Sequence, residues 1–307
     1  MREALTPSRS VRILAWASIV ANIGIVVTGG AVRLTGSGLG CPTWPRCTED
    51  SFTPHGELQF HSAIEFGNRM LTFVLTAVAV ATFVAAWRTG RRDLRRLALI
   101  LALGVPFQAV IGGITVLTDL NPWIVSLHLM LSMGMIGVAV LFLHRLDHPG
   151  ATWRRGPLPG LAWTTLGVGW VVLYIGTVVT GSGPHAGDEN APRNGLDPAA
   201  MSQLHADVVF LLVGLSIGLV FATVLVGDRR ARSAALVLLG VELGQGVIGF
   251  VQYYTDLPEA LVAAHLLGAA VLSAVLTRAV LVVALPPDPT LPGLTEERDT
   301  RPEALTH

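Results

Sequence analysis

The chain alternates between long apolar blocks and short polar connections. Eight apolar runs stand at about 12–32, 62–87, 97–117, 123–146, 160–180, 203–226, 233–253 and 259–284. A helix rises about 1.5 Å per residue, so some 20 residues cross roughly 30 Å of hydrocarbon. Each run therefore predicts a transmembrane helix, and the whole pattern an all-α integral membrane protein. The connections alternate too. "RTGRRDLRR" (88–96), "HRLDHPGATWRRG" (144–156) and "GDRRARS" (227–233) are rich in Arg, whereas 33–61, 118–122, 181–202 and 254–258 have few. The positive-inside rule then puts both termini in the cytoplasm of a multi-pass plasma-membrane protein. Met1 to Arg12 is basic, but the apolar run after it has no small-residue cleavage site. It reads as a retained helix, not a signal peptide. The tail from Pro286 onward, rich in Pro and acidic residues, reads as disordered.

Composition agrees with the pattern. The 307 residues are 51% hydrophobic and 14% charged, with a mean hydropathy of +0.59. A soluble domain carries roughly 25% charged residues. The net charge is zero and all 21 positive side chains are Arg, which leaves no basic surface to suggest nucleic acid as a partner. The lipid bilayer is the partner that the composition does imply.

The two halves repeat. "QAVIGGITVLTDLNPWIVSLH" (108–128) aligns without gaps on "QGVIGFVQYYTDLPEALVAAH" (245–265), with nine of 21 positions identical, including Gln108/Gln245, Asp119/Asp256 and His128/His265. At the same offset "EFGNRMLTF" (65–73) falls on "SQLHADVVF" (202–210), so Asn68 matches His205. "GIVVTGG" (24–30) resembles "GTVVTGS" (176–182). The predicted architecture is two tandem four-helix bundles related by a pseudo-twofold axis along the membrane normal. Residues 1–11 are a cytoplasmic N-terminus, 12–146 the first half, 147–159 a cytoplasmic linker, 160–284 the second half and 285–307 a cytoplasmic tail.

Nine His are present. His55 and His185 fall in outer loops, His144 and His148 in an inner loop, and His307 at the end; solvated roles are expected for these. His61, His128, His205 and His265 each follow a Pro by six or seven residues. That places all four about two helical turns, roughly 10 Å, in from the outer side. Two imidazoles at one depth in a four-helix bundle suit a six-coordinate heme. The alternative is a polar bundle residue bonded to a neighbouring helix. Zinc would want three or four nitrogen or sulfur ligands, and each half has only two such His. The Gly-rich helices would serve either close approach of a flat ligand or plain helix packing.

The only cysteines, Cys41 and Cys47 in "CPTWPRC", lie in an outer loop. A loop disulfide is the first reading, and a redox-active pair that exchanges electrons with a partner is the second. Glu65 stands four residues after His61, three before Asn68 and four before Arg69, so all lie near one helix face. It either pairs with Arg69, which lowers the cost of insertion, or does chemistry as a proton relay or charge stabiliser. Ser202 is its counterpart in the second half.

"TGGAVRLTGSGLGCPTWPRC", "IEFGNR", the "SLH" and "AAH" helices and the eight-helix repeat together resemble the heme A synthase family over nearly all of 12–284. The resemblance implies a membrane oxidoreductase that converts the C8 methyl of heme O to the formyl of heme A for terminal oxidases. Glu65 matches the family's essential carboxylate, and Cys41 and Cys47 match its outer-loop cysteines. The second half would hold heme b between His205 and His265. The first half would take heme O near His128 and Glu65. The heme sites would lie toward the outer face, and electrons would arrive through heme b from a donor that the sequence does not name. The farnesyltransferase that makes heme O is the implied functional partner.

One position departs from the family pattern. The family has His three residues after the Glu, where this chain has Asn68. Either His61 replaces that ligand, or His128 holds the first-half heme alone and leaves iron an open position. Two other readings fit parts of the pattern. A diheme cytochrome passing electrons between quinone and an outer partner accounts for the His but not for Glu65. A parallel-repeat transporter coupled through Glu65 and Arg69 accounts for the charges but not for the His. Arg33 and Arg69 are candidate partners for heme propionates.

Overall fold

A computed structural model describes residues 9–54 and 60–287. The described chain forms eight α-helices: α1 (Arg9–Leu34), α2 (Phe60–Arg88), α3 (Arg92–Leu117), α4 (Pro122–Asp147), α5 (Pro157–Ser182), α6 (Pro198–Val226), α7 (Arg229–Tyr254) and α8 (Glu259–Ala284). All eight are long and apolar enough to cross a membrane. The protein is an all-α integral membrane protein, with no strand among the described residues. His55, and the tail expected to be disordered beyond Pro287, lie outside the described residues.

Several helices begin earlier than their apolar runs, because polar residues cap them. α6 starts at Pro198, five residues before its run, where the Asp197 side chain accepts the Ala200 N–H at 2.7 Å and Pro sits in the first turn. The same device starts α4, where Asn121 accepts from Trp123, and α7, where Asp228 accepts from Ala231. Capping satisfies N–H groups that have no partner within the helix. α4 also runs on past the predicted loop boundary. His144, expected in a solvated loop, is a buried residue of its last turn, with Nε2 2.8 Å from the Leu285 carbonyl beyond α8. A buried imidazole needs such a partner.

The helices pack in two rings. α1 touches α2 and α4, and α3 touches both α2 and α4. Likewise α5 touches α6 and α8, and α7 touches both α6 and α8. Neither α2 with α4 nor α6 with α8 is in contact, so each ring has a diagonal across its middle. The seam between rings is α4 with α5 and α8, and α1 with α8. Ser273 on α8 bonds the Met133 carbonyl on α4 across it at 2.9 Å. Gly30 on α1 lies so close to Leu266 that any Cβ there would collide with it. Small residues allow this approach in a lipid-soluble bundle, where dispersion contacts hold helices together.

The repeat extends to backbone detail. Helix lengths run 26, 29, 26 and 26 residues in each ring. After α3, Asp119 and Leu120 adopt left-handed φ of 52° and 59°; after α7, Asp256 and Leu257 do so at 59° and 58°. Non-glycine residues enter this region at a cost of about 1–2 kcal/mol each. Both turns close with a matching bond of 2.8 Å, Leu120 N–H to Thr115 and Leu257 N–H to Gln252. Large apolar side chains such as Phe73, Leu103, Phe107, Phe210, Phe221 and Leu225 are exposed around the outside. A soluble surface would bury or replace most of them, whereas lipid solvates them.

Candidate functional site

Three of the four singled-out histidines share one setting. His128 on α4 lies against Gly112 on α3, His205 on α6 against Gly176 on α5, and His265 on α8 against Gly249 on α7. A Cβ on these glycines would stand 3.2, 3.2 and 3.4 Å from the ring Cε1. Each glycine thus makes space for an imidazole between two helices. In all three rings Nδ1 is buried with no hydrogen-bond partner. Such orphans are rare in native interiors and call for a reason. His205 and His265 lie on the diagonal helices α6 and α8.

The fourth position of this pattern is changed. Gly24 on α1 is the counterpart of Gly176, but a Cβ there would meet nothing within 4 Å. Asn68 is the counterpart of His205, and its Oδ1 accepts from Thr28 on α1 at 2.8 Å. His61 does not share the depth expected for it. α2 as described begins at Phe60, so His61 is in the first turn, and its exposed ring places Nδ1 3.0 Å from the Ser37 hydroxyl. The other three helices begin with a Pro or just after one, six or seven residues before their His. For α2, residues 55–59 between Pro54 and Phe60 lie outside the described residues.

Glu65 is 5% exposed and fully engaged. Its Oε2 accepts the Cys41 N–H at 2.6 Å, and its Oε1 accepts from Nε of Arg69 at 3.1 Å and from Nη2 of the same residue. Arg69 then donates to the carbonyls of Cys41, Thr43 and Arg46 at 3.0–3.2 Å. The Glu65–Arg69 pair therefore exists and clasps the loop 41–47, which Cys41 and Cys47 close as a buried disulfide. Within that loop the Trp44 ring packs on Gly113, beside the glycine that faces His128. The second-half counterpart of Gly113 is Phe250, which is exposed. The loop clasped by Glu65 and Arg69 thus reaches, through Trp44, the glycine next to the one that faces His128. Sequence spacing placed Glu65 beside Arg69, but it carried no sign that Trp44 joins them, because that contact spans two helices and a loop.

Arg33 does not point free. Its Nε donates to the His185 carbonyl and its Nη2 to the Thr180 carbonyl at 2.8 Å, which ties the end of α1 to the second-half loop. Among the described residues no group of three or more His, Cys, Asp or Glu is placed to hold a metal ion. The buried donors of this pattern are therefore separate imidazoles, His128 in the first ring and His205 and His265 in the second. A planar metal-bearing macrocycle takes axial imidazoles in ones and twos, so the residues fit heme.

One groove of about 560 Å³ opens on the outside between α4 and α5, lined by Trp123, Leu127, Met130, Trp170 and Tyr174. It borders the helix that carries His128.

Comparison with known proteins gives the family. A protoheme IX farnesyltransferase of Halobacterium salinarum is 27% identical over 246 residues, 79% of this chain and 48% of its own length. A heme A synthase of Staphylococcus haemolyticus is 29% identical over 180 residues, 55% of this chain and 59% of its own. A heme A synthase of Staphylococcus epidermidis is 25% identical over 283 residues, 83% of this chain and 92% of its own. The chain spans about half the length of the first of these relatives. The cytochrome oxidase assembly protein family (COX15-CtaA) matches residues 12–193, which include Glu65, the disulfide loop and His128. That match covers more than half of the sequence and the whole of the clasped first-half site, and it makes this chain a member of the cytochrome oxidase assembly protein family.

Proposed function

We propose that the chain is a heme A synthase, a membrane oxidoreductase that converts the C8 methyl of heme O to the formyl of heme A for terminal oxidases. The observation that carries this reading is the glycine-backed histidine, present three times and replaced once. The replacement lies in the half that alone has Glu65 and the disulfide loop. Relatives named heme A synthase support it. The relative named protoheme IX farnesyltransferase, which this chain matches over about half of its length, points to heme chemistry as well. The enzyme that farnesylates heme is accordingly the proposed upstream partner.

In this reading His205 and His265 hold heme b, which supplies one-electron storage between a donor and the first half. His128 would hold the substrate heme O, while Asn68, at the family's ligand position, accepts a hydrogen bond from Thr28. His61 lies on the same face of α2, nearer the loop end. Trp44 and Gly113 would wall the substrate position, and the clasp of Glu65 and Arg69 would hold the loop that carries Trp44 in place. Glu65 is the group of this half able to hold a proton or a negative charge near the reacting methyl. The α4–α5 groove supports access from the bilayer for a substrate with an isoprenoid tail. The disulfide-loop end faces outward and both termini face the cytoplasm, in keeping with the Arg-rich connections of the opposite end.

The test is co-expression with a heme O-producing farnesyltransferase in a host that makes no heme A, followed by extraction, chromatography and mass spectrometry. Heme A or its hydroxymethyl precursor is expected. Unmodified heme b and heme O alone, from folded protein under aeration, would overturn the proposal in favour of a diheme cytochrome. The glycines give a separate check. Gly176→Leu and Gly249→Leu place a side chain where the His205 and His265 rings lie, and are expected to lower the heme-to-protein ratio at least severalfold. Gly24→Ala, which meets nothing, is expected to leave it unchanged.

A further inference from the structure

Glu242 is an acidic residue that nothing above uses. It lies in the middle of α7, 3% exposed, and its Oε1 accepts from Ser216 on α6 at 2.8 Å. Its Oε2 is buried without a hydrogen-bond partner. None of the three ion pairs among the described residues includes it. Leu212 and Leu238, each one turn from Ser216 and Glu242 on the same helices, belong to a buried apolar cluster with Leu272 and Leu276.

The repeat shows that packing does not require this group. At the offset of 137, Ser216 and Glu242 correspond to Ala79 and Val105. Those two are buried together with Leu75 in the first ring's core, and Leu75 and Leu101 correspond to Leu212 and Leu238. One bundle therefore fills this place with methyl groups, and the other fills it with a hydroxyl and a carboxyl. An ionised, unpaired carboxylate at such depth is expensive, so the sequence retains it for a task.

The elements packed on α7 are α6 and α8. Their ionisable groups are His205 and Asp207 on α6 and Glu259, His265 and Arg278 on α8. α7 itself adds Arg229, Arg230 and Arg232 at one end and Tyr253 and Tyr254 at the other. Gly249, which meets His265, is seven residues from Glu242, about 10 Å along the axis. Arg278 lies about as far in the other direction. Gln245 and Gln252 fall with Glu242 and Gly249 on one flank of α7. The Gln252 Oε1 is also buried and unpartnered, so a polar line leads from the carboxyl past His265 toward the loop end.

We propose that Glu242, held by Ser216, is a redox-linked proton site of the second half. It binds one proton when the heme between His205 and His265 is reduced, and releases it on oxidation. An external one-electron reductant supplies the electron to ferric iron. Solvent supplies the proton, and an O–H bond forms on the carboxylate. Oxidation reverses both changes. The inference rests on the heme-binding reading above.

The experiment is mediated redox titration of the purified full-length protein across pH, with infrared difference spectra of the two redox states. In the wild type the midpoint potential is expected to fall with rising pH, and a carboxylic C=O band to appear on reduction. Glu242→Gln is expected to lose the band and flatten the slope. The double variant S216A/E242V copies the first half's packing, so it keeps fold and heme content and is expected to lose the same two signals. Slope and band unchanged in either folded variant would overturn the proton site while leaving the heme reading intact. A second half without heme, seen as no loss of heme in His265→Ala, would overturn the heme reading, and this inference with it.

Discussion

Glu65→Ala is expected to abolish heme A formation and to loosen the disulfide loop together. The substitution strips the Cys41 N–H and the Arg69 guanidinium of their acceptor. Breaking a buried ion pair by removing one partner costs about 3–5 kcal/mol. The lower end applies here, because the Arg69 side chain is 20% exposed and keeps its backbone carbonyls. Glu65→Gln separates anchoring from chemistry. The amide oxygen still accepts from Cys41 and fills the same space, but it carries neither charge nor exchangeable acid. Product is therefore expected to fall by about 100-fold or more in Glu65→Gln, the usual worth of a proton-transferring group. Thermal stability should drop less than in Glu65→Ala, and second-half heme content should hold. Product near the wild-type level in Glu65→Gln would reduce Glu65 to a clasp for the loop.

His265→Ala and His205→Ala are each expected to remove most of the heme bound by the second half, measured as heme-to-protein ratio and loss of a six-coordinate spectrum. In the proposed reading, losing either imidazole would leave a cavity beside Gly249 or Gly176 and remove one of the two ligands to iron. His128→Ala is expected to spare that spectrum and to lose the first-half site. His61→Ala is expected to have the smallest effect of the four. Its ring is exposed in the first turn of α2 and is occupied with Ser37 rather than poised among helices. Heme loss in His61→Ala as large as in His128→Ala would mean that the first-half ligand set includes it.

The difference between these histidines marks the reach of one-dimensional reading. A Pro six or seven residues ahead is a good guide to depth where the helix begins at or beside that Pro, as for His128, His205 and His265. His61 differs, for its ring is exposed and lies seven residues nearer the loop end than Asn68, the counterpart of His205. The same limit explains His144. Its Arg-rich surroundings suggested solvent, yet a backbone carbonyl 141 residues away decides its place. Glycine content is the opposite case. In the sequence it was equally consistent with packing or ligand approach, and the structure assigns Gly112, Gly176 and Gly249 to the space beside an imidazole.

What the sequence determined by itself is what periodicity and local chemistry control: eight spans, the internal repeat, and Glu65 and the two cysteines confined to the first half. A backbone in hydrocarbon must satisfy its own hydrogen bonds, so long apolar runs have essentially one solution, and counting them is enough. The tertiary structure alone decided which polar groups meet. It seated the loop 41–47 on Glu65 and Arg69, set Trp44 against Gly113, left three ring nitrogens without partners, and buried Glu242 where its repeat mate is Val105. Those contacts join residues from different helices at a common depth. Their energies depend on close approach and lost water, which no spacing along a single chain records.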